Sequence, residues 1–276
     1  MSSVARFLVL FTIAGGANGQ EPAIDGVVRK IAEVEAKSPW FWSPPFEANV
    51  PYTYEWLSTR RFLDGRGRDV LPKPNRNGLE SWRTVRLERI ALDWGSHFRC
   101  LMEDGKAPCS QDWIQELERQ AERRTGLTAE DKVRIEGIHK ERRERRRTFW
   151  EGFPTAFRFE RVSPNEIRFE PSKSFGSAKA KDGSLLARIT GRFRYDPETW
   201  KITRIEYEVT SETGEPSLPK GTWVEVTLVR QVDGVYLPSG YSTRRKLPKG
   251  GLTEVRVSEF SNYRRFTADT EVRFDP

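Results

Sequence analysis

One stretch of this chain allows few structures. From Leu185 to Tyr195 every odd position is apolar or glycine: Leu185, Ala187, Ile189, Gly191, Phe193 and Tyr195. From Arg188 to Arg194 every even position is polar. A period of two with one apolar side is the pattern of a β-strand buried on one face and wet on the other. Asp196-Pro197-Glu198-Thr199 follows, with Asp and Pro where a type I turn favours them. A return strand then places Ile205, Tyr207 and Val209 on one face. The segment 185–209 therefore reads as a β-hairpin with a single core-facing side.

Its neighbours carry the same signal. Phe157 and Phe159 alternate with Arg158 and Glu160, and Ile167 and Phe169 return after Ser163-Pro164-Asn165. Thr222–Val232 places Val224, Val226 and Leu228 on one face, and Asp233-Gly234 is a turn of the I′ kind before Val235–Leu247. Leu252–Phe266 is the last strand, expected to point Val255 and Val257 inward and Glu254 and Arg256 outward. Phe260, Tyr263 and Phe266 break that alternation, so a bulge is expected near Ser261-Asn262. Upstream, Tyr52–Phe62, Ser81–Leu92 and Ser96–Met102 read as further strands.

Helical periodicity is confined to three places. Ile24–Ala36 gathers Val27, Val28, Ile31 and Val34 on one face, with Glu33 and Glu35 off it. A helical insertion is expected over about 110–149. Its first helix starts after a Ser110 cap, and its second after a Thr128/Asp131 capping box, running to about Phe149. The second helix is rich in charge (HKERRERRRTF at 139–149). Between the first helix and the first strand, Trp40, Phe41, Trp42 and Phe46 lie in a Pro-rich stretch expected to form an aromatic plug.

The N-terminus bears on compartment. Arg6, the apolar run Phe7–Ala14 and the small residues of Ala17-Asn18-Gly19 form a secretory leader, cut between Gly19 and Gln20. The run is too short to span a bilayer. A periplasmic or secreted protein is expected, with residues 20–276 as one domain. In that setting the only two cysteines, Cys100 and Cys109, most simply form a disulfide across the Asp104-Gly105 turn. The chain holds 47 basic and 40 acidic residues, a net charge of +7. A solvated arginine-rich surface accounts for that. An anionic membrane surface docking on the basic segment Lys140–Arg147 is the sharper alternative. The leader argues against nucleic acid.

The usual carriers of chemistry are missing from the sequence. It has no nucleophile elbow, phosphate-binding glycine loop or His-Glu metal motif. His97 and His139 are the only histidines, and Glu166 and Glu170 share one strand face with nothing to desolvate them. No catalytic residue, metal or cofactor is expected.

The strands FRFERV, NEIRFEP, LLARITGRFRYDPETWKITRIEYEV and TWVEVTLVRQVDGVYLP, preceded by an exported helix and a helical insertion, resemble the periplasmic lipoprotein-carrier group (LolA-like). The resemblance is carried mainly by Phe157–Phe266 and more loosely by Tyr52–Met102. It implies an α+β fold: a curved, largely antiparallel open sheet, a half-barrel, with an N-terminal helix and an inserted helical pair. It also implies that sheet and helices enclose an apolar cavity for a lipid or lipoprotein acyl chain. The residues expected to line it are Ile189, Phe193, Tyr195, Val224, Val226, Leu228, Val255 and Val257. If the helices pack flush on the sheet, the same residues are ordinary core. The protein is then a structural or interaction module of the envelope.

Overall fold

The computed structural model describes residues 23–38, 52–70, 84–92, 95–111, 114–115, 117–119, 127–173, 175, 185–213, 218–230, 234–247 and 251–265. The expected leader and the Trp-rich plug at 40–46 lie outside the described residues.

Helix α1 (Ile24–Ala36) is followed by β1 (Tyr52–Leu63), the short β2 (Asp69–Val70), β3 (Thr84–Leu92) and β4 (Gly95–Glu103). The long helix α2 (Ala129–Ala156) then leads into a run of strands: β5 (Phe157–Ser163), β6 (Glu166–Pro171), β7 (Ile189–Tyr195) and β8 (Ile202–Val209). The chain closes with β9 (Trp223–Arg230), β10 (Tyr236–Lys246) and β11 (Thr253–Arg265). All eleven strands join one open sheet in the order β4-β3-β1-β11-β10-β9-β8-β7-β6-β5, with β2 beside β1. Every pairing is antiparallel. From β5 to β11 the sheet is a meander of consecutive hairpins. The exception is the centre, where the last strand returns to pair with the first.

The opening hairpin stands, with its start moved. Leu185 and Leu186 are both buried, which alternation along a strand forbids. Ala187 has a φ of 54°, and the Arg188 N–H donates to the Leu185 carbonyl at 3.1 Å. These residues form a turn, and β7 begins at Ile189. Leu186 instead packs on α2, where a side chain on Gly152 would come within 2.9 Å of its Cδ1. In β7 itself, Gly191 faces Tyr207 across the ladder. A Cβ there would lie 2.0 Å from the Glu206 carbonyl oxygen, so only glycine fits this close approach.

Helix α2 starts at the expected capping box. The Asp131 N–H donates to Thr128 Oγ1 at 3.1 Å, and the Thr128 N–H donates to Asp131 Oδ2 at 3.2 Å. The helix runs seven residues past Phe149. Pro154 looks like a breaker, but in the final turn its missing N–H removes a single bond. Those extra residues extend the apolar stripe: Phe149 is followed on it by Trp150, Phe153 and Ala156, all buried. The earlier insertion helix is only partly described; residues 114–115 and 117–119 are helical, and Leu117 packs against Val85 and Leu87.

The bulge in the last strand is present: two steps along β1, from Thr53 to Glu55, oppose three along β11, from Arg264 to Ser261. Asn262 turns there with a φ of 55° and donates from Nδ2 to Glu55 Oε1 at 2.7 Å. Cys100 and Cys109 are bonded, with their Cα atoms 6.1 Å apart, across a turn at Asp104-Gly105.

Candidate functional site

The inner face of the sheet has two halves. Over β5–β9 it is apolar and lies against the helices. Val27, Val28 and Ile31 of α1 and Phe149, Trp150, Phe153 and Ala156 of α2 join Ile167, Phe169, Ile189, Phe193, Ile205, Tyr207, Val224 and Val226 in one core. Phe153 sits at its centre, with ring centroids 5.0 Å from Phe157, 5.6 Å from Phe169 and 6.1 Å from Phe193. Of the eight expected lining residues, Ile189, Phe193, Tyr195, Val224 and Val226 are buried here. Leu228 is partly buried against the same core.

Val255 and Val257 do not join them. Val257 is 44% exposed, while Glu254 and Ser258 are each 1% exposed. The facing of β11 is the reverse of the one expected. The parity is set by Phe260, which meets Tyr54 edge-on at 5.7 Å and stacks on Trp56 at 6.3 Å. β-Branched apolar side chains favour an inward place for the valines, yet it is the even positions that face the core.

The second half of the inner face, over β1, β10 and β11, mixes aromatic and polar groups. Glu254 is its hub. Its Oε1 accepts from Arg60 Nε at 2.9 Å and from Arg256 Nη2 at 3.1 Å, and its Oε2 accepts from Arg245 Nε at 2.7 Å. Burial pushes the Glu254 carboxyl up, but Arg256, Arg245 and Arg60 outweigh it and hold it below the usual carboxylate range. Beside this cluster Ser58 and Ser258 share a buried hydrogen bond of 3.0 Å, and Arg60 lies over the Phe62 ring at 4.9 Å. Glu254 and Arg256 are the two residues of β11 expected to point outward, and the sequence assigns no site to any of this cluster. The signal was there in β1: its even positions read Tyr52, Tyr54, Trp56, Ser58, Arg60, Phe62, so Arg60 occupies the apolar register of its strand.

One carboxylate of α1 also faces inward. Glu35, expected on the wet side, is 3% exposed. Its Oε1 accepts the Ile202 N–H at 2.9 Å and lies 4.0 Å from Lys201 Nζ. Burial pushes the Glu35 carboxyl up, against the opposing influence of Lys201, the Ile202 N–H and Arg146.

The outer face carries an ion-pair ladder. Glu166 accepts from Arg194 Nε at 2.7 Å and from Arg192 Nη1 at 3.2 Å, Arg192 also pairs with Glu206, and Arg204 bonds Glu225 at 2.8 Å. The hydrogen bond from Arg194 is the main reason that the Glu166 carboxyl lies below its ordinary range. A carboxylate held this way is a poor general base. Glu170 pairs with Arg158 on the same face.

The charged stretch of α2 largely pairs with itself. Arg143 bonds Glu136 at 2.8 Å, Arg145 pairs with Glu141, and Arg147 reaches Glu151 at 3.4 Å. Arg146 is buried, 7% exposed, on the stripe it shares with His139. Among the described residues no group of His, Cys, Asp and Glu is arranged to hold a metal ion, and no helix is long and apolar enough to cross a membrane.

No family model matches this chain, and no curated protein matches it. Among solved structures the chain is similar to the crystal structure of a LolA superfamily protein from Nitrosomonas europaea. The two share 10% sequence identity over 91% of this chain and 94% of the other, with a TM-score of 0.30.

Proposed function

We propose that the chain is an exported envelope protein that binds a lipid or the acyl chain of a partner. The ligand lies between the inner face of β5–β9 and the α1–α2 pair, and no catalytic step is involved. One observation carries this reading: the apolar face of β5–β9 is covered by two helices, α1 and α2, whose buried side chains share one core with it. On this reading the pair lifts from the sheet to admit the chain, which breaks the hydrogen bond from the Ile202 N–H to Glu35. The surface beneath the pair, from Ile189 and Phe193 to Val224 and Val226, is continuous and apolar. An entering acyl chain offsets the lost helix contact at about 0.8 kcal/mol per buried methylene. Docking on an anionic membrane through Lys140–Arg147 is not part of the reading, because Arg143, Arg145 and Arg147 pair with carboxylates of their own helix.

A second reading, an envelope interaction module with no ligand, draws on the complete burial of Ile189, Val224 and Val226 in the present packing. Mass spectrometry of an organic extract of the purified protein decides between them. The binding reading expects lipid in near-stoichiometric amount, or uptake of a fluorescent fatty acid by delipidated protein. Neither lipid nor uptake would leave the interaction module.

A further inference from the structure

We infer that the Arg60–Arg245–Arg256–Glu254 cluster is a headgroup site, and that the ligand is an amphiphile with an anionic oxygen headgroup, carboxylate or phosphate. This rests on the binding reading above and adds the ligand's polar end.

The geometry comes from the ladder. One cross-strand row runs Phe169, Gly191, Tyr207, Val224, Thr243, Arg256, Arg60, each residue paired with the next. Its first members lie under the helices and are apolar; its last are guanidinium groups. Strands are spaced by about 4.8 Å, so Val224 lies roughly 10 Å from Arg256 along the row. A single molecule with a tail on the apolar half reaches the cluster with its head. Three guanidiniums and one carboxylate sum to +2. Each of the three arginines donates an N–H to Glu254. A guanidinium carries five N–H donors in a planar fork suited to carboxylate and phosphate. The carboxylate is at the bottom, with its side chain 1% exposed, whereas the side chains of Arg245 and Arg256 are 31% and 29% exposed. Glu254 thus orients the two arginines and leaves part of each at the surface of the inner face. Three arginines around this one carboxylate raise the charge of a face that also carries aromatic rings and the Ser58–Ser258 pair.

The test compares a fluorescent long-chain fatty acid with its methyl ester, which has the same tail and no charge. Delipidated wild-type protein should bind the acid about tenfold or more tightly than the ester, the effect of one or two charge-assisted hydrogen bonds. Arg245→Gln and Arg256→Gln should each remove most of that preference and leave ester affinity unchanged. Arg245→Lys should retain part of it. Arg244→Gln, on the exposed opposite face of β10, should retain all of it. Unchanged ester binding also shows that the variants are folded. Equal affinity for acid and ester in wild type overturns the headgroup site and leaves the binding reading standing. Binding of neither probe overturns both. Inorganic phosphate separates an amphiphile from a free anion: displacement of the acid by millimolar phosphate, with no effect of tail length on affinity, would overturn the amphiphile.

Discussion

The Ile202 N–H donates to Glu35 Oε1 at 2.9 Å, tying the last turn of α1 to the first residue of β8. Both groups are buried, and the bond spans 167 positions of sequence. It fixes the helical cover to the hairpin around which the sheet is built. Glu35→Ala would leave the Ile202 N–H unsatisfied and should cost about 1–3 kcal/mol in urea denaturation.

The same carboxyl sets a pH dependence. Its folded pKa is raised by burial, so the folded state holds the proton over a range where the unfolded chain has lost it. Stability from this group is therefore highest below the ordinary carboxylate pKa and falls as pH rises through the raised folded value. Glu35→Gln keeps an acceptor for Ile202 without the charge. It should flatten that slope and change stability at pH 7 by no more than about 1 kcal/mol. Urea midpoints from pH 4 to 8 measure both effects.

Glu254 behaves in the opposite sense. Its carboxyl is held below the usual range, so its contribution is present above the unfolded pKa and lost as pH falls through the folded value. Glu254→Gln takes the counter-charge from three converging arginines. Because Arg245 and Arg256 are partly exposed, the cost should be about 2–3 kcal/mol rather than the full penalty of a broken buried pair. The variant should also lose part of the wild type's destabilisation by acid.

Gly191 is the most constrained position of the central hairpin. Gly191→Ala sets a methyl group against the Glu206 carbonyl and the Tyr207 Cα. It should destabilise by about 3 kcal/mol, read as a lower urea midpoint. Gly152→Ala meets only the tip of Leu186 and should cost less.

The Cys100–Cys109 bond closes a short loop on the edge strand β4. Its loss, by reductant or by Cys100→Ser with Cys109→Ser, should cost about 2–3 kcal/mol on the chain-entropy account. Thermal melts with and without reductant give the value, and the double variant should be insensitive to reductant.

Strands, turns and the capping box were legible because each rests on local rules: period two in β7 and β8, Asp196-Pro197 at the turn, Thr128 with Asp131. The pairing of β1 with β11 was not. Alternation says which side of a strand is buried, not which strand lies beside it. The reversal in β11 has a related cause. Two valines outweigh one phenylalanine on a local scale, but Phe260 meets Tyr54 and Trp56 from a strand two hundred residues earlier. Charge defaults to solvent in a single sequence, and Glu35 and Glu254 depart from that default. Each is buried by a partner brought from far along the chain, Ile202 for one and Arg60 for the other.

Trp150 has no exposure, and it lies in the helical cover over the apolar face. A fatty acid brominated in mid-chain quenches tryptophan at short range, so it reports whether a chain enters beneath that cover. A chain lying beneath the cover gives saturable quenching of the wild-type emission, with a clearly smaller amplitude in Trp150→Phe. Emission unchanged at saturating ligand, or quenched equally in both proteins, overturns binding beneath the helices.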